Sequence, residues 1–117
     1  MKYTEILKLK DMLEKANIPF EFTDDLFNTT NTSRLWFSQS ASYPAYQIRI
    51  GNLCDVIEHY GSYGNEQDLL EIMGGLTAKE QLDDGILGWL TAEEVFKRFK
   101  YCYENNTSTY KENDDEN

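Results

Sequence analysis

The sequence predicts an α+β domain, a small antiparallel sheet of three or four strands with an N-terminal and a C-terminal helix packed on one face. Three observations lead there. The segments near 4–16 and 92–104 repeat apolar residues at helical spacing. Residues 46–50 alternate apolar and polar, and a second apolar run over 54–60 follows the Gly51-Asn52 turn, as in a hairpin. A chain of 117 residues, 40% hydrophobic and 14% aromatic, carries enough apolar surface for one core and too little length for two.

Taken in order, Ile6, Leu9, Leu13 and Ala16 form the inward stripe of the first helix, with Thr4 as its expected N-cap. Its end is marked three times over. Asn17 suits the left-handed position past the helix, Ile18 can fold back on Leu13, and Pro19 forbids continuation. Phe20-Glu21-Phe22-Thr23 alternates like a half-buried strand, and residues 28–33 are a polar loop. Residues 34–38 read as a short strand, followed by the hairpin of 46–50 and 54–60.

Beyond Gly64 the pattern turns helical. Asn65 is placed to cap a short helix carrying Leu69, Leu70, Ile72 and Met73, closed by Gly74-Gly75. Thr77 with Glu80, and Thr91 with Glu94, fit the capping box, in which the hydroxyl accepts from a free amide and the carboxylate reaches back. The second box opens a helix with Val95, Phe96, Phe99, Cys102 and Tyr103 along one face. Residues 105–117 are almost wholly polar, so the expected division is a domain over 1–104 and a disordered acidic tail over 105–117.

Net charge is −10, and it is uneven. Residues 1–64 hold 6 basic and 8 acidic groups, net −2, while residues 65–117 hold 5 and 13, net −8. Such a chain is a poor direct ligand for nucleic acid or anionic membrane, because phosphate recognition needs concentrated Lys and Arg. No stretch approaches the roughly 20 apolar residues of a membrane span, and the first residues form a charged amphipathic segment and no signal sequence. A cytoplasmic protein is expected. Cys54 and Cys102 make neither a disulfide framework nor a metal-spaced pair.

Catalytic and metal signatures are sparse. His59, the one histidine, alternates to the strand face opposite Glu58, so these neighbours cannot act as base and orienter. Asp83-Asp84 before Gly85 is ordinary turn chemistry without a surrounding calcium loop, and Gly61-Ser62-Tyr63-Gly64 lacks the lysine of a phosphate-binding loop. No catalytic residue, metal site or cofactor is expected, and the chain reads as a binder.

Two features suit binding. Glu66, Asp68, Glu71, Glu80, Asp83 and Asp84 lie on or near the two short helices, where carboxylates can imitate nucleic-acid phosphates or simply form a solvated face. Tyr43, Tyr46, Tyr60 and Tyr63 surround the hairpin and its exit loop, where they can stack a ligand, anchor an interface or finish the core.

Several segments carry a resemblance to a known group: Glu5-Ile6-Leu7-Lys8-Leu9-Lys10 leading to Asn17-Ile18-Pro19-Phe20, Val56-Ile57-Glu58-His59-Tyr60-Gly61-Ser62-Tyr63-Gly64, Leu69-Leu70-Glu71-Ile72-Met73-Gly74, and Gly88-Trp89-Leu90-Thr91-Ala92-Glu93-Glu94-Val95-Phe96. Over about two-thirds of its length the chain resembles small acidic accessory proteins of phages and prophages of Gram-positive bacteria, with residues 28–45 and the acidic tail departing from the pattern. By analogy, the resemblance implies an inhibitor of host defence of the anti-CRISPR type, an acidic nucleic-acid mimic docking on the basic groove of a host protein. The alternative is a sponge for a small molecule or nucleotide signal, built on the Tyr-rich hairpin and loop. A convex carboxylate face favours the first, and an aromatic pocket with basic groups favours the second.

Overall fold

A computed structural model of the chain describes residues 3–24, 45–59, 61–82 and 85–111. Helix α1 spans Thr4–Lys15, strands β1 to β5 span Glu21–Thr23, Ala45–Ile50, Cys54–His59, Leu70–Met73 and Ile86–Leu90, and helix α2 spans Ala92–Asn105. The five strands form one antiparallel meander in the order β1-β2-β3-β4-β5. The α+β class and the two terminal helices are as expected, with five strands in place of three or four.

Both helices cover one face of the sheet. Ile6, Leu9 and Leu13 of α1 and Val95, Phe99 and Cys102 of α2 are wholly buried against Ile48, Val56, Leu70 and Ile72 from the strands. Tyr103, expected on the inner stripe of α2, is 41% exposed instead. The end of α1 follows the sequence closely. Asn17 takes φ 61°, the Ile18 N–H donates to Leu13 O at 3.1 Å, and Ile18 is buried. Its start does not. Tyr3 occupies the cap position, and the exposed α1 amide of Thr4 is taken by the Asp68 carboxylate, 64 residues away and 3.1 Å distant.

The region 65–90 is where the expectation changes most. Of the helix expected after Gly64, Asn65–Gln67 alone turns, as a short 3-10 helix, and Leu70–Met73 continues as β4 with Leu70 and Ile72 inward. The run Leu-Leu-Glu-Ile-Met satisfies both periods, and pairing with β3 and β5 decides for the strand. Thr77 and Glu80 do exchange both capping bonds, at 2.9 and 3.2 Å, but around a three-residue 3-10 turn. The Thr91–Glu94 box forms at α2 as expected. The strand expected over 34–38 lies outside the described residues.

Residues 106–110, expected within a disordered tail, pack back on the domain. Asn106 closes α2 at φ 52°, and Thr107–Tyr110 then runs beside Gly75-Leu76. The Gly75 N–H donates to Ser108 O and the Tyr110 N–H to Leu76 O, both at 2.8 Å, and Tyr110 is 5% exposed. One aromatic side chain in a polar stretch is enough to dock the segment. Residues 112–117 lie outside the described residues.

Candidate functional site

The helix-free face of the sheet carries one unusual construction. Leu70 pairs with Leu90 and Ile72 with Leu87, so the two residues Gly88 and Trp89 stand opposite the single Glu71. This is a β-bulge, a device that bends a strand and re-aims a side chain. Trp89 adopts φ 59°, a left-handed conformation that costs a non-glycine residue about 1–2 kcal/mol.

What faces the bulge is the loop after β3. Ser62 Oγ accepts from the His59 N–H at 3.0 Å and donates to His59 O at 2.9 Å, which closes the turn. The Tyr63 N–H donates to Glu71 Oε1 at 2.8 Å. These bonds bring the Tyr63 ring parallel to Trp89, with centroids 5.3 Å apart and planes 6° from parallel, an offset stack. Two glycines permit the approach. A Cβ on Gly88 would lie 2.3 Å from Tyr63 Cβ, and one on Gly64, at φ +95°, would lie 3.1 Å from the Trp89 backbone. Yet the stack is not core: Tyr63 is 46% exposed and Trp89 56%. Beside it opens a hollow of about 270 Å³ bordered by Ser62, Asn65, Glu66 and Gln67.

The acidic series is dispersed over other tasks. Asp68 caps α1, accepting from the Thr4 amide and hydroxyl, and interacts with Glu58, which is fully buried on the core face of β3. Burial pushes the Asp68 carboxyl up, but these hydrogen bonds outweigh it and hold the group below its ordinary range. Glu71 holds Tyr63. Glu80 pairs with Arg98 at 2.8 Å, and that hydrogen bond is the main reason its carboxyl sits below the ordinary range. Glu66 remains exposed at the rim of the aromatic hollow. Asp83 and Asp84 lie outside the described residues. The four described carboxylates therefore form no common face.

The tyrosines also divide. Tyr46 points to the helix side, 5.3 Å from Tyr3 and 6.2 Å from Phe22, and packs against the core. Tyr63 stands on the other side in the stack. Tyr43 and Tyr60 lie outside the described residues. Sequence reasoning missed Trp89, the partner that makes Tyr63 a platform. Its signal was available: a tryptophan preceded by glycine, at a position flanked by inward Leu87 and Leu90, breaks a simple alternation.

His59 is engaged locally. Its Nδ1 accepts from the Gly61 N–H at 3.0 Å, and burial lowers its pKa. Among the described residues, no group of three His, Cys, Asp or Glu is placed to hold a metal ion, and no helix is long and apolar enough to cross a membrane. Cys54 of β3 and Cys102 of α2 are both buried free thiols. Compared with known protein families, curated proteins and solved structures, the chain matches none.

Proposed function

We propose that the protein is a non-catalytic binding module that anchors a basic protein surface on the Tyr63–Trp89 stack. The observation that carries this reading is the strain held at Trp89. Backbone strain of this kind persists where the surrounding structure enforces it, and here it supports two large rings half in solvent. Tyrosine and tryptophan are the side chains that dominate protein-binding hot spots. Glu66 beside the rings and a net charge of −10 favour a partner rich in Arg and Lys, which stack on aromatic faces and pair with carboxylates. Charge of that size steers encounter from a distance, and the rings supply the short-range contact.

The biological setting proposed is that of a phage or prophage accessory protein acting in the host cytoplasm, as an inhibitor of a defence complex with a basic nucleic-acid groove. The acidic composition and the presented aromatic anchor support this reading together. The commitment of His59 to its turn supports a binding role over catalysis.

The test uses the emission of Trp89 in a Trp36→Phe background. Titration with an arginine-rich peptide should give a saturating change that weakens as salt rises, because opposed charges are screened over about 8 Å at physiological ionic strength. Glu66→Lys should weaken it several-fold, and Trp89→Leu should abolish tight binding of the same peptide measured by calorimetry. Salt-independent binding, or full affinity without Trp89, would contradict the proposal.

A further inference from the structure

In a chain this acidic, the positions of the lysines that pair with no described residue carry information. Of the nine described Lys and Arg residues, six are ion-paired: Lys8, Lys10, Lys15, Arg49, Arg98 and Lys100. Lys79, Lys97 and Lys111 make no salt bridge with any described residue. They come from three separate segments, the turn after Thr77, the middle of α2 and the chain past Tyr110. All three nevertheless border the same place. Lys79 and Lys111 line a cavity of about 810 Å³, Lys97 and Lys111 line an adjoining hollow of about 380 Å³, and the two share Tyr101 and Tyr110.

The floor of this basin is rigid. Tyr110 is buried, Tyr101 meets it edge-on at 5.6 Å, and the buried Arg98 guanidinium lies 4.9 Å from the Tyr110 ring centre. Arg98 is fixed in turn by Glu80 and by the Gly75 carbonyl, at 2.8 and 2.9 Å. Tyr101 is half-buried, and Thr109 lines the wall of the larger cavity. Glu80 and Glu104 also line the two spaces, each paired with its own cation, Arg98 and Lys100, so an aromatic floor, a hydroxyl wall and three lysines outside those pairs meet in a volume suited to a small ligand.

We infer that this basin is a binding site for a small anionic ligand with a flat ring, of the nucleoside monophosphate class. The lysines attract the anion as point charges, and a tyrosine face accepts the ring without base selectivity. The placement differs from the sequence expectation of a Tyr-rich hairpin site: the basin is lined by residues from 77–80 and 96–111 and shares no residue with the Tyr63–Trp89 platform.

Calorimetric titration of the full chain with a nucleoside monophosphate, the matching nucleoside and inorganic phosphate separates the contributions. The monophosphate should bind at least tenfold more tightly than either fragment. Lys79→Ala and Lys111→Ala, both at exposed positions, should each weaken it about fivefold, whereas Lys15→Ala on α1, equal in charge and paired with Asp11, should leave it unchanged. Tyr101→Leu should weaken monophosphate and nucleoside alike while leaving phosphate binding as it was. Equal affinity for nucleoside and monophosphate, or equal losses from Lys15→Ala and Lys79→Ala, would overturn the assignment.

Discussion

Two of the protein's aromatic pairs lie in opposite surroundings. Tyr63 and Trp89 stack in parallel, about half exposed, on the helix-free side of the sheet beside Glu66 and Glu71. Tyr101 and Tyr110 meet edge-on where residues 107–111, the C-terminal strap, dock on the domain, with Tyr110 buried and lysines around the rim. The first pair is held by backbone geometry, and removing a ring takes little from the core. The second pair is itself packing, because Tyr110 docks the segment that follows α2. Residue type alone does not separate a contact surface from a structural clasp; exposure and the source of rigidity do.

The largest effects should therefore fall on the second pair. Tyr110→Ala removes a buried ring, its contact with Arg98 and the anchor of residues 107–111, and should cost about 3 kcal/mol in denaturant unfolding. Arg98→Ala should come close behind at about 2–3 kcal/mol, since it leaves Glu80 and the Gly75 carbonyl without a charged donor. A loss below about 1 kcal/mol from Tyr110→Ala would mean that the strap is held by its backbone bonds alone.

The Arg98–Glu80 pair also gives a pH signature. Glu80 is held below its ordinary value of 4.5, so the stability it contributes is present above 4.5 and is lost as pH falls through the lower folded value. Glu80→Gln should be less stable than the parent at neutral pH, and the gap should narrow on acidification below 4.5. Urea midpoints of both proteins across that range measure it, and a constant gap would remove the ion pair from the account.

Gly88→Ala comes next. The added methyl cannot coexist with Tyr63 where it stands, so the variant should lose about 1–3 kcal/mol and the near-ultraviolet dichroism of the stack together. Thr91→Ala should cost about 1 kcal/mol through loss of the α2 cap, and Thr77→Ala less, because its box closes only a short turn. Tyr63→Ala is expected to be the mildest, about 0.5 kcal/mol or less, as an exposed ring whose loss affects binding more than folding.

Much of the fold was legible where local and tertiary demands agree. The end of α1, the β2–β3 hairpin and the Thr91 box each carry several independent signals in a few residues. Strands β4 and β5 were not legible, since Leu70–Met73 suits either period and the Gly88-Trp89 bulge interrupts the alternation that would mark β5. Of the site, Tyr63 was visible as an aromatic near a turn, but its neighbour 26 positions on is brought there only by sheet pairing. The acidic series looked like a surface because charge is normally solvated. Asp68, Glu71 and Glu80 instead satisfy amides or a guanidinium distant in sequence, and no local pattern announces that.

The most direct test of two recognition faces of opposite character is a pair of amide chemical-shift titrations on one labelled sample of the intact chain. An arginine-rich peptide should perturb residues 61–67 and 86–90, and a nucleoside monophosphate should perturb residues 77–81 and 97–111. Neither probe should displace the other. If both move the same residues, or if the peptide leaves 61–67 and 86–90 unmoved, the Tyr63–Trp89 stack is not the anchor proposed for it.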